Sequence, residues 1–182
     1  MTVFGLVGLP GSGKSEAAAV ARELGMPVVT MGDVIRAECR DRGLDPATHH
    51  GTVAQALREE NGPAAIAERS LPVIEAELDS AGTVVVDGIR SGVEVEYFEA
   101  AFGEEFVLVS IEAPFETRAE RLALRGRDAG SEDGGESLAD RDARELDFGM
   151  GEAMDRADYV VENTDSLEQF RNRIRDLLTD YR

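Results

Sequence analysis

One short segment near the start of the chain has the residue types and spacing of a phosphate-binding loop. It consists of eight consecutive residues: Gly8, Leu9, Pro10, Gly11, Ser12, Gly13, Lys14 and Ser15. They form the P-loop pattern G-x-x-x-x-G-K-S, in which glycines let successive backbone N–H groups face a phosphate at a helix N-terminus. We expect this segment to bind ATP, with Lys14 at the β- and γ-phosphates and the Ser15 hydroxyl on Mg²⁺.

Lys14 is the only lysine in the chain, whereas arginine occurs 18 times. Because the chain uses lysine at this position and arginine at the other basic positions, Lys14 is expected to have a role that the larger, planar guanidinium of arginine cannot fill. A glycine-rich turn with a purely structural role would not need Lys followed by Ser, so we interpret the loop as a nucleotide site. The absence of a second lysine excludes the Asn/Thr-Lys-x-Asp motif with which Ras-type GTPases read guanine.

A carboxylate at the end of a later apolar run is a second candidate for magnesium chemistry. The run Thr83–Asp87 has the length and β-branched composition of a buried strand. Asp87 could simply cap a turn at the strand end. Because the run follows a phosphate-binding loop, we assign Asp87 to Mg²⁺ together with Ser15, and it could equally act as a general base.

Three arginines, Arg118, Arg121 and Arg125, have the spacing of one helix face. They could form a solvated stripe paired with Glu116 and Glu120, because ion pairs at helical spacing are ordinary. Phosphoryl transfer would give them another use, since it needs charge neutralisation and guanidinium groups bind phosphate bidentately. We predict that Arg121 and Arg125 act on the transferred phosphate and that Arg118 is structural.

The composition favours a globular protein with an unusual surface. The 182 residues carry 37 acidic and 19 basic side chains, a net charge of −18. An acidic, lysine-poor surface is typical of salt-in halophiles, in which high salt screens carboxylate repulsion; an acidic mesophilic protein or a basic partner is the alternative.

The single cysteine, Cys39, forbids an intramolecular disulfide. Apolar runs are too short for a membrane helix, and no basic stripe interleaved with aromatic residues indicates nucleic acid. We expect a cytoplasmic protein with a small-molecule ligand; the oligomeric state stays open.

Strand and helix patterns alternate along the chain, which predicts an α/β fold with a parallel sheet and helices on both faces. The predicted strands are residues 3–7, 26–30, 83–87, 106–111 and 159–161. Polar loops are predicted at residues 43–51, which include His49 and His50, and at residues 128–137. We expect one domain over residues 1–182, with a small lid at about residues 121–145. Ligands should then gather at the carboxyl ends of the strands.

Three segments of this sequence resemble adenylate kinases. Gly32–Arg36 resembles their Gly-Asp-x-(Leu/Ile)-Arg segment, and Asp87–Arg90 resembles their Asp-Gly-(aromatic)-Pro-Arg segment without its proline. Glu120–Arg125 resembles the start of their lid. The resemblance implies a three-layer P-loop NTPase fold with a five-stranded parallel sheet. It also implies that Arg36 and Arg90 bind the acceptor.

Other segments extend the resemblance over nearly the whole chain. Arg141 and Arg144 look like arginines that return from the lid; we assign Arg141 to catalysis and leave Arg144 open. Asp33 could cap a helix or position a hydroxyl or ribose of the acceptor. Residues 157–164 resemble dephospho-CoA kinase, whose equivalent loop lies by the adenine, which implies that Asn163 contacts the nucleotide. The overall pattern is similar to an archaeal family described as adenylate kinase/dephospho-CoA kinase-like P-loop proteins.

The motif and the resemblance together predict a kinase that uses Mg²⁺ and ATP. The γ-phosphate would pass to a small nucleotide-like acceptor, in the manner of a nucleoside monophosphate kinase. Two alternatives stay open: a dephospho-CoA kinase-like activity, and a nucleotide-gated ATPase or binding protein without a small-molecule acceptor. The sequence does not choose between adenine and guanine.

Overall fold

Strands and helices alternate in the computed structural model, which describes residues 1–129 and 137–181. The strands are β1 (Thr2–Val7), β2 (Val28–Thr30), β3 (Thr83–Asp87), β4 (Phe106–Glu112) and β5 (Tyr159–Glu162). The helices are α1 (Lys14–Glu23), α2 (Met31–Asp41), α3 (Pro46–Asn61), α4 (Ala65–Ala81), α5 (Gly92–Phe102), α6 (Phe115–Ala129), α7 (Leu138–Phe148), α8 (Met150–Asp155) and α9 (Leu167–Asp180). A 3₁₀ turn at Gly103–Glu105 precedes β4.

The strands of the described residues form a five-stranded sheet in the order β2-β3-β1-β4-β5. All four neighbouring pairs are parallel. In the register of the sheet, Asp87 lies between Leu6 of β1 and Thr30 of β2. Because the strands are parallel, their carboxyl ends share one edge, and the loop that follows β1 lies at this edge beside Asp87. The predicted five-stranded parallel sheet is confirmed.

Alternating side chains of the central strand separate two apolar cores. Val3 and Val7 of β1 point to a core that is completed by α2, α3, α4, α5 and α8. Phe4 and Leu6 point to the opposite core, which is completed by α1 and α9. A sheet covered on both faces explains why its strands are nearly continuous apolar runs. The predicted three-layer arrangement, with helices on both faces of the sheet, is confirmed.

The predicted polar loop at residues 43–51 is wrong. Helix α3 already begins at Pro46, so His49 and His50 are helical. The Asp45 side chain accepts a hydrogen bond from the Ala47 N–H at 3.0 Å, and proline occupies the first helical position. This combination of N-cap and proline starts a helix in spite of the polar composition that follows it.

Two further differences concern the second half of the chain. Helix α6 continues to Ala129, beyond the predicted end near residue 124, and the short helix α8 was not predicted. Of the predicted polar loop and lid, residues 130–136 lie outside the described residues. Among the residues that the structure describes, no helix is both long and apolar enough to cross a membrane.

Candidate active site

The P-loop connects β1 to α1 through glycines that no other residue could replace without strain. Gly8 has a φ of +151°, and a Cβ there would lie 2.4 Å from the Ile111 carbonyl oxygen. Gly13 has a φ of +118°, and a Cβ there would lie 2.5 Å from Nδ2 of Asn163. The loop therefore packs against the end of β4 and against Asn163 through bare backbone. Since Gly13 is the N-cap of α1 and has no side chain, the first N–H groups of α1 are available to an anion.

Lys14 lies in the first turn of α1 and folds back over the loop. Its Nζ donates to the Gly8 carbonyl oxygen at 2.5 Å and to the Leu9 carbonyl oxygen at 3.3 Å. Burial lowers the pKa of Lys14 to about 8, while the nearby Asp87 and Glu145 carboxylates oppose that shift. The ammonium group is thus held among backbone carbonyl oxygens of the P-loop.

Ser15 and Asp87 bring a hydroxyl and a carboxylate to the same cleft. These are hard oxygen donors, and Mg²⁺ in nucleotide sites is held by one or two protein oxygens together with phosphates and water. Within residues 1–129 and 137–181, no group of three or more His, Cys, Asp or Glu side chains could hold a metal by itself. The donor set therefore fits Mg²⁺ that arrives with a nucleotide.

Part of the P-loop and two of the predicted acceptor residues line one cleft of about 290 Å³ at the carboxyl edge of the sheet: Gly8, Pro10, Lys14 and Ser15 of the loop, and Arg36 and Arg90. The residues predicted to bind the phosphates and Mg²⁺, namely Lys14, Ser15 and Asp87, are among its lining residues. Arg36, Arg90 and Arg141 are also among its lining residues. Of the predicted acceptor residues, Asp33 alone does not line the cleft.

Asp33 instead forms an ion pair with Arg36. Nε and Nη2 of Arg36 donate to Oδ1 of Asp33 at 2.9 and 2.6 Å. Helix α2 begins at Met31 with Thr30 as its N-cap, so Asp33 does not cap it. Asp33 therefore orients the arginine that faces the cleft.

Arg90 is held from two directions. Its backbone N–H donates to Oε2 of Glu94 at 2.8 Å, and Nη1 of its side chain donates to Oε1 of Glu145 at 2.7 Å. The Arg90 side chain is about half exposed, whereas Glu145 on α7 is buried. The pair joins the loop after β3 to α7 across the cleft.

The arginines of α6 take different positions. Arg118 is buried; it donates to the Pro10 carbonyl oxygen and binds both carboxylate oxygens of Asp142 at 2.8 Å. Arg118 is therefore not part of a solvated stripe. These contacts agree with the structural role predicted for Arg118. Arg121 donates to the Gly11 and Asn163 carbonyl oxygens, and Arg125 is exposed nearby.

The Asn163 side chain stabilises the conformation of the P-loop through hydrogen bonds. It is 6% exposed, and its Nδ2 donates to the Ser12 carbonyl oxygen at 2.8 Å, while its Oδ1 accepts from Arg121 at 3.2 Å. Both ends of the amide are used within the protein, so Asn163 holds the loop in shape. Direct contact with a nucleotide base stays a prediction.

Several residues at the acceptor side were missed by the sequence analysis. His50 and Arg58 of α3, together with Glu145 of α7, line the cleft. Glu94 is buried beside them, and burial raises the pKa of its carboxyl group. A capping pattern, Ser91 followed three residues later by Glu94, was present in the sequence. The approach of Glu94 to Arg58 depends instead on tertiary structure, because α3 and α5 both pack against α4.

Comparison with known sequences places the chain in a family. A model described as an AAA domain matches residues 7–139. A protein of Halobacterium salinarum named UPF0200 is 59% identical over 178 residues, which cover 98% of this chain and 93% of the relative. The chain belongs to the UPF0200 family. This relative comes from a Halobacterium. Its source fits the interpretation of the acidic surface as a halophilic feature.

Solved structures that are similar to this UPF0200 family member include two kinases. A shikimate kinase from Acinetobacter baumannii, solved with shikimate, is 17% identical with a TM-score of 0.58, and the match covers 99% of this chain and 94% of the kinase. A gluconokinase from Sinorhizobium meliloti is 18% identical with a TM-score of 0.59, covering 98% and 92%. At these identities the likeness shows the kinase-like fold alone.

Proposed function

We propose that this protein transfers the γ-phosphate of Mg-ATP to a small, nucleotide-like anionic acceptor. The observation that carries the proposal is one cleft lined by two sets of groups. Lys14, Ser15 and Asp87 supply donor chemistry, and Arg36 and Arg90 supply binding groups for a second anion. A protein that only bound ATP would not need the second set.

The donor side has the groups that a nucleoside triphosphate requires. The first N–H groups of α1 and the Lys14 ammonium bind the β- and γ-phosphates. Ser15 and Asp87 hold Mg²⁺, which when bound neutralises charge on those phosphates. Asn163 keeps the loop in shape, because its side-chain amide donates to the Ser12 carbonyl oxygen.

The acceptor side has the groups that would bring a nucleophile to the γ-phosphate. Arg36 and Arg90 bind the anionic acceptor, since a guanidinium group matches phosphate geometry. An acceptor oxygen forms a bond to the γ-phosphorus, the bond from that phosphorus to the bridging oxygen breaks, and ADP leaves. A phosphate oxygen of the acceptor is already deprotonated, and the proton of a hydroxyl nucleophile leaves on the transferred phosphoryl group.

Further arginines act on the charge that moves during transfer. We assign Arg121, Arg125 and Arg141 to this role. Arg141 lines the cleft and Arg121 lies against Gly11 of the P-loop, which supports the assignment. Such groups act by neutralising charge on the equatorial oxygens of the transferred group.

A coupled assay of ADP release at molar KCl tests the proposal. The acceptor panel contains nucleoside monophosphates, nucleosides and dephospho-CoA, with ATP alone as the background. We expect at least one acceptor to raise the rate in the wild type and to have no effect in Lys14→Ala. If no acceptor raises ADP release, the kinase proposal fails. Hydrolysis independent of an acceptor would favour the ATPase alternative.

A further inference from the structure

A second cavity opens beside the cleft on its acceptor side. We call it the side groove; its volume is about 800 Å³, and its walls include Ala54, Pro63, Val93 and Phe148. The cleft and the side groove share five lining residues: Ile35, His50, Arg58, Arg90 and Glu145. The two cavities are therefore adjacent, and these five residues form their junction.

The cleft by itself is small for the task proposed for it. Pockets for small molecules usually measure about 300–1,000 Å³, and the cleft has about 290 Å³. It must also hold the terminal phosphate of the donor. The body of an acceptor therefore needs space outside the cleft, and the side groove is the adjoining space.

The side groove places apolar side chains beside charged ones. Val93 and Phe148 line it and are 38% and 41% exposed. The Arg58 guanidinium lies over the Phe148 ring, with its central carbon 4.4 Å from the ring centroid. Apolar walls and a few placed polar groups are the usual composition of a small-molecule site.

The charge of the two cavities is opposite to that of the chain. Among the described residues, six basic side chains line the cleft or the side groove: Lys14, Arg36, Arg58, Arg90, Arg141 and Arg144. Three acidic side chains line them: Glu59, Asp87 and Glu145. In a chain with 37 acidic and 19 basic residues, this local excess of cations favours an anionic ligand.

Arg58 has hydrogen-bonding capacity left at the junction. Within the described part of the chain its Nε is buried and has no hydrogen-bond partner, and its nearest carboxylate contact is Oε1 of Glu94, at 3.8 Å from Nη2. A buried N–H without a partner costs free energy that a ligand can recover. Arg58 is therefore placed to bind an anionic group that bridges the cleft and the side groove.

We infer that the phosphoryl acceptor is an elongated anionic molecule with an apolar, ring-sized body. Its reacting end lies in the cleft at Arg36 and Arg90, an anionic group lies at Arg58, and its body lies in the side groove against Val93 and Phe148. This inference rests on the proposed function and adds the shape and chemistry of the substrate.

Two tryptophan variants of α3 form a matched test. Gly51 lines the side groove, and a Cβ at this position meets no atom within 4 Å, so Gly51→Trp fills the groove without a clash at the backbone. The neighbouring Thr52 is exposed and lines neither cavity, so Thr52→Trp adds the same side chain elsewhere. Circular dichroism and thermal unfolding check that both variants fold.

The probes are two dyes with the same aromatic body. 8-Anilinonaphthalene-1-sulfonate is anionic, and N-phenyl-1-naphthylamine lacks the sulfonate. We expect the wild type to bind the anionic dye about tenfold more tightly than the neutral one, and Gly51→Trp to weaken anionic dye binding about tenfold. Thr52→Trp should bind within about twofold of the wild type. Equal dye affinities in Gly51→Trp and Thr52→Trp, or no preference of the wild type for the anionic dye, would overturn the inference.

The inference and the proposed function fail in different measurements. Titration with Mg-ATP should give the same affinity in both tryptophan variants, because the P-loop is unchanged. If an acceptor is phosphorylated with the same KM in the wild type and Gly51→Trp, the kinase proposal stands and the groove assignment is wrong. If the dyes behave as expected and no acceptor is phosphorylated, the side groove is an anion site and the kinase proposal fails.

Discussion

The donor and acceptor sides of the cleft are built in different ways. The donor side is largely the backbone of one continuous segment, residues 8–15, completed by Asp87 from the adjacent strand. The acceptor side consists of side chains from separate elements: Arg36 from α2, Arg58 from α3, and Arg90 from the loop after β3. One side depends on local conformation and the other on the packing of helices.

Their charges are also compensated differently. Lys14 donates to backbone carbonyls, whereas the acceptor arginines contact carboxylates: Arg36 with Asp33, Arg58 with Glu94, and Arg90 with Glu145. An anion at the acceptor side therefore competes with carboxylates already in place. This competition favours ligands that meet several arginines at once, and it makes the acceptor side the more selective of the two.

Substitution of Lys14 should have the largest effect on activity, and this effect should be confined to the donor side. We expect Lys14→Arg to fold normally, because Lys14 supports no core, and to lose turnover by about 10²-fold because the charge is misplaced by about 1 Å. Lys14→Ala should lose Mg-ATP affinity as well. Steady-state kinetics, ATP titration and circular dichroism separate these effects. Wild-type turnover in Lys14→Arg would remove the argument from the single lysine.

Changing Arg90 should affect the acceptor side alone. Arg90→Gln removes a charged hydrogen bond to the acceptor, so we expect the acceptor KM to rise about tenfold while Mg-ATP affinity stays the same. Arg69→Gln is the control, since Arg69 pairs with Glu38 and lines neither cavity. A loss of Mg-ATP affinity in Arg90→Gln, measured by calorimetry, would contradict the separation of the two sides.

The two sides should also differ in their response to pH. The pKa of Lys14 is lowered to about 8, so its charge is present below that pH and is lost as the pH rises through it. We expect Mg-ATP affinity to fall by up to about eightfold between pH 7.5 and 9. Burial lowers the pKa of His50, so its imidazole is already neutral in this range and the acceptor KM should change little. Lys14→Arg should bind Mg-ATP with no such pH dependence.

Salt should act on the acidic surface more than on either side of the cleft. At low salt, repulsion among carboxylates of a chain with a net charge of −18 is unscreened. We expect the melting temperature to be about 5 °C lower in 0.1 M than in 2 M KCl, the shift that roughly 1–2 kcal/mol produces in a domain of this size. An unchanged melting temperature would count against halophily and favour a basic partner.

The parts of the site that could be predicted are those in which neighbours in sequence are neighbours in space. The P-loop, the strand that ends in Asp87 and the alternation of strands and helices follow from local patterns and backbone sterics. Residues 43–51 were misread for a local reason too, because the polar composition was given more weight than the Asp45–Pro46 helix start. If the Asp45–Pro46 helix start had been given more weight than the polar composition, the sequence would have predicted a helix that includes His50.

The sequence by itself determined the P-loop of this protein, because eight consecutive residues fix a backbone conformation and the single lysine lies among them. Only the tertiary structure decided the acceptor site. Arg58 and Glu94 are 36 positions apart in the sequence, and Glu145 is a further 51 positions along the chain, so no local pattern links them. They come together because α3 and α5 both pack against α4, while α5 and α7 both pack against α8. The partners of a charge in such packing depend on distances that the sequence does not encode locally.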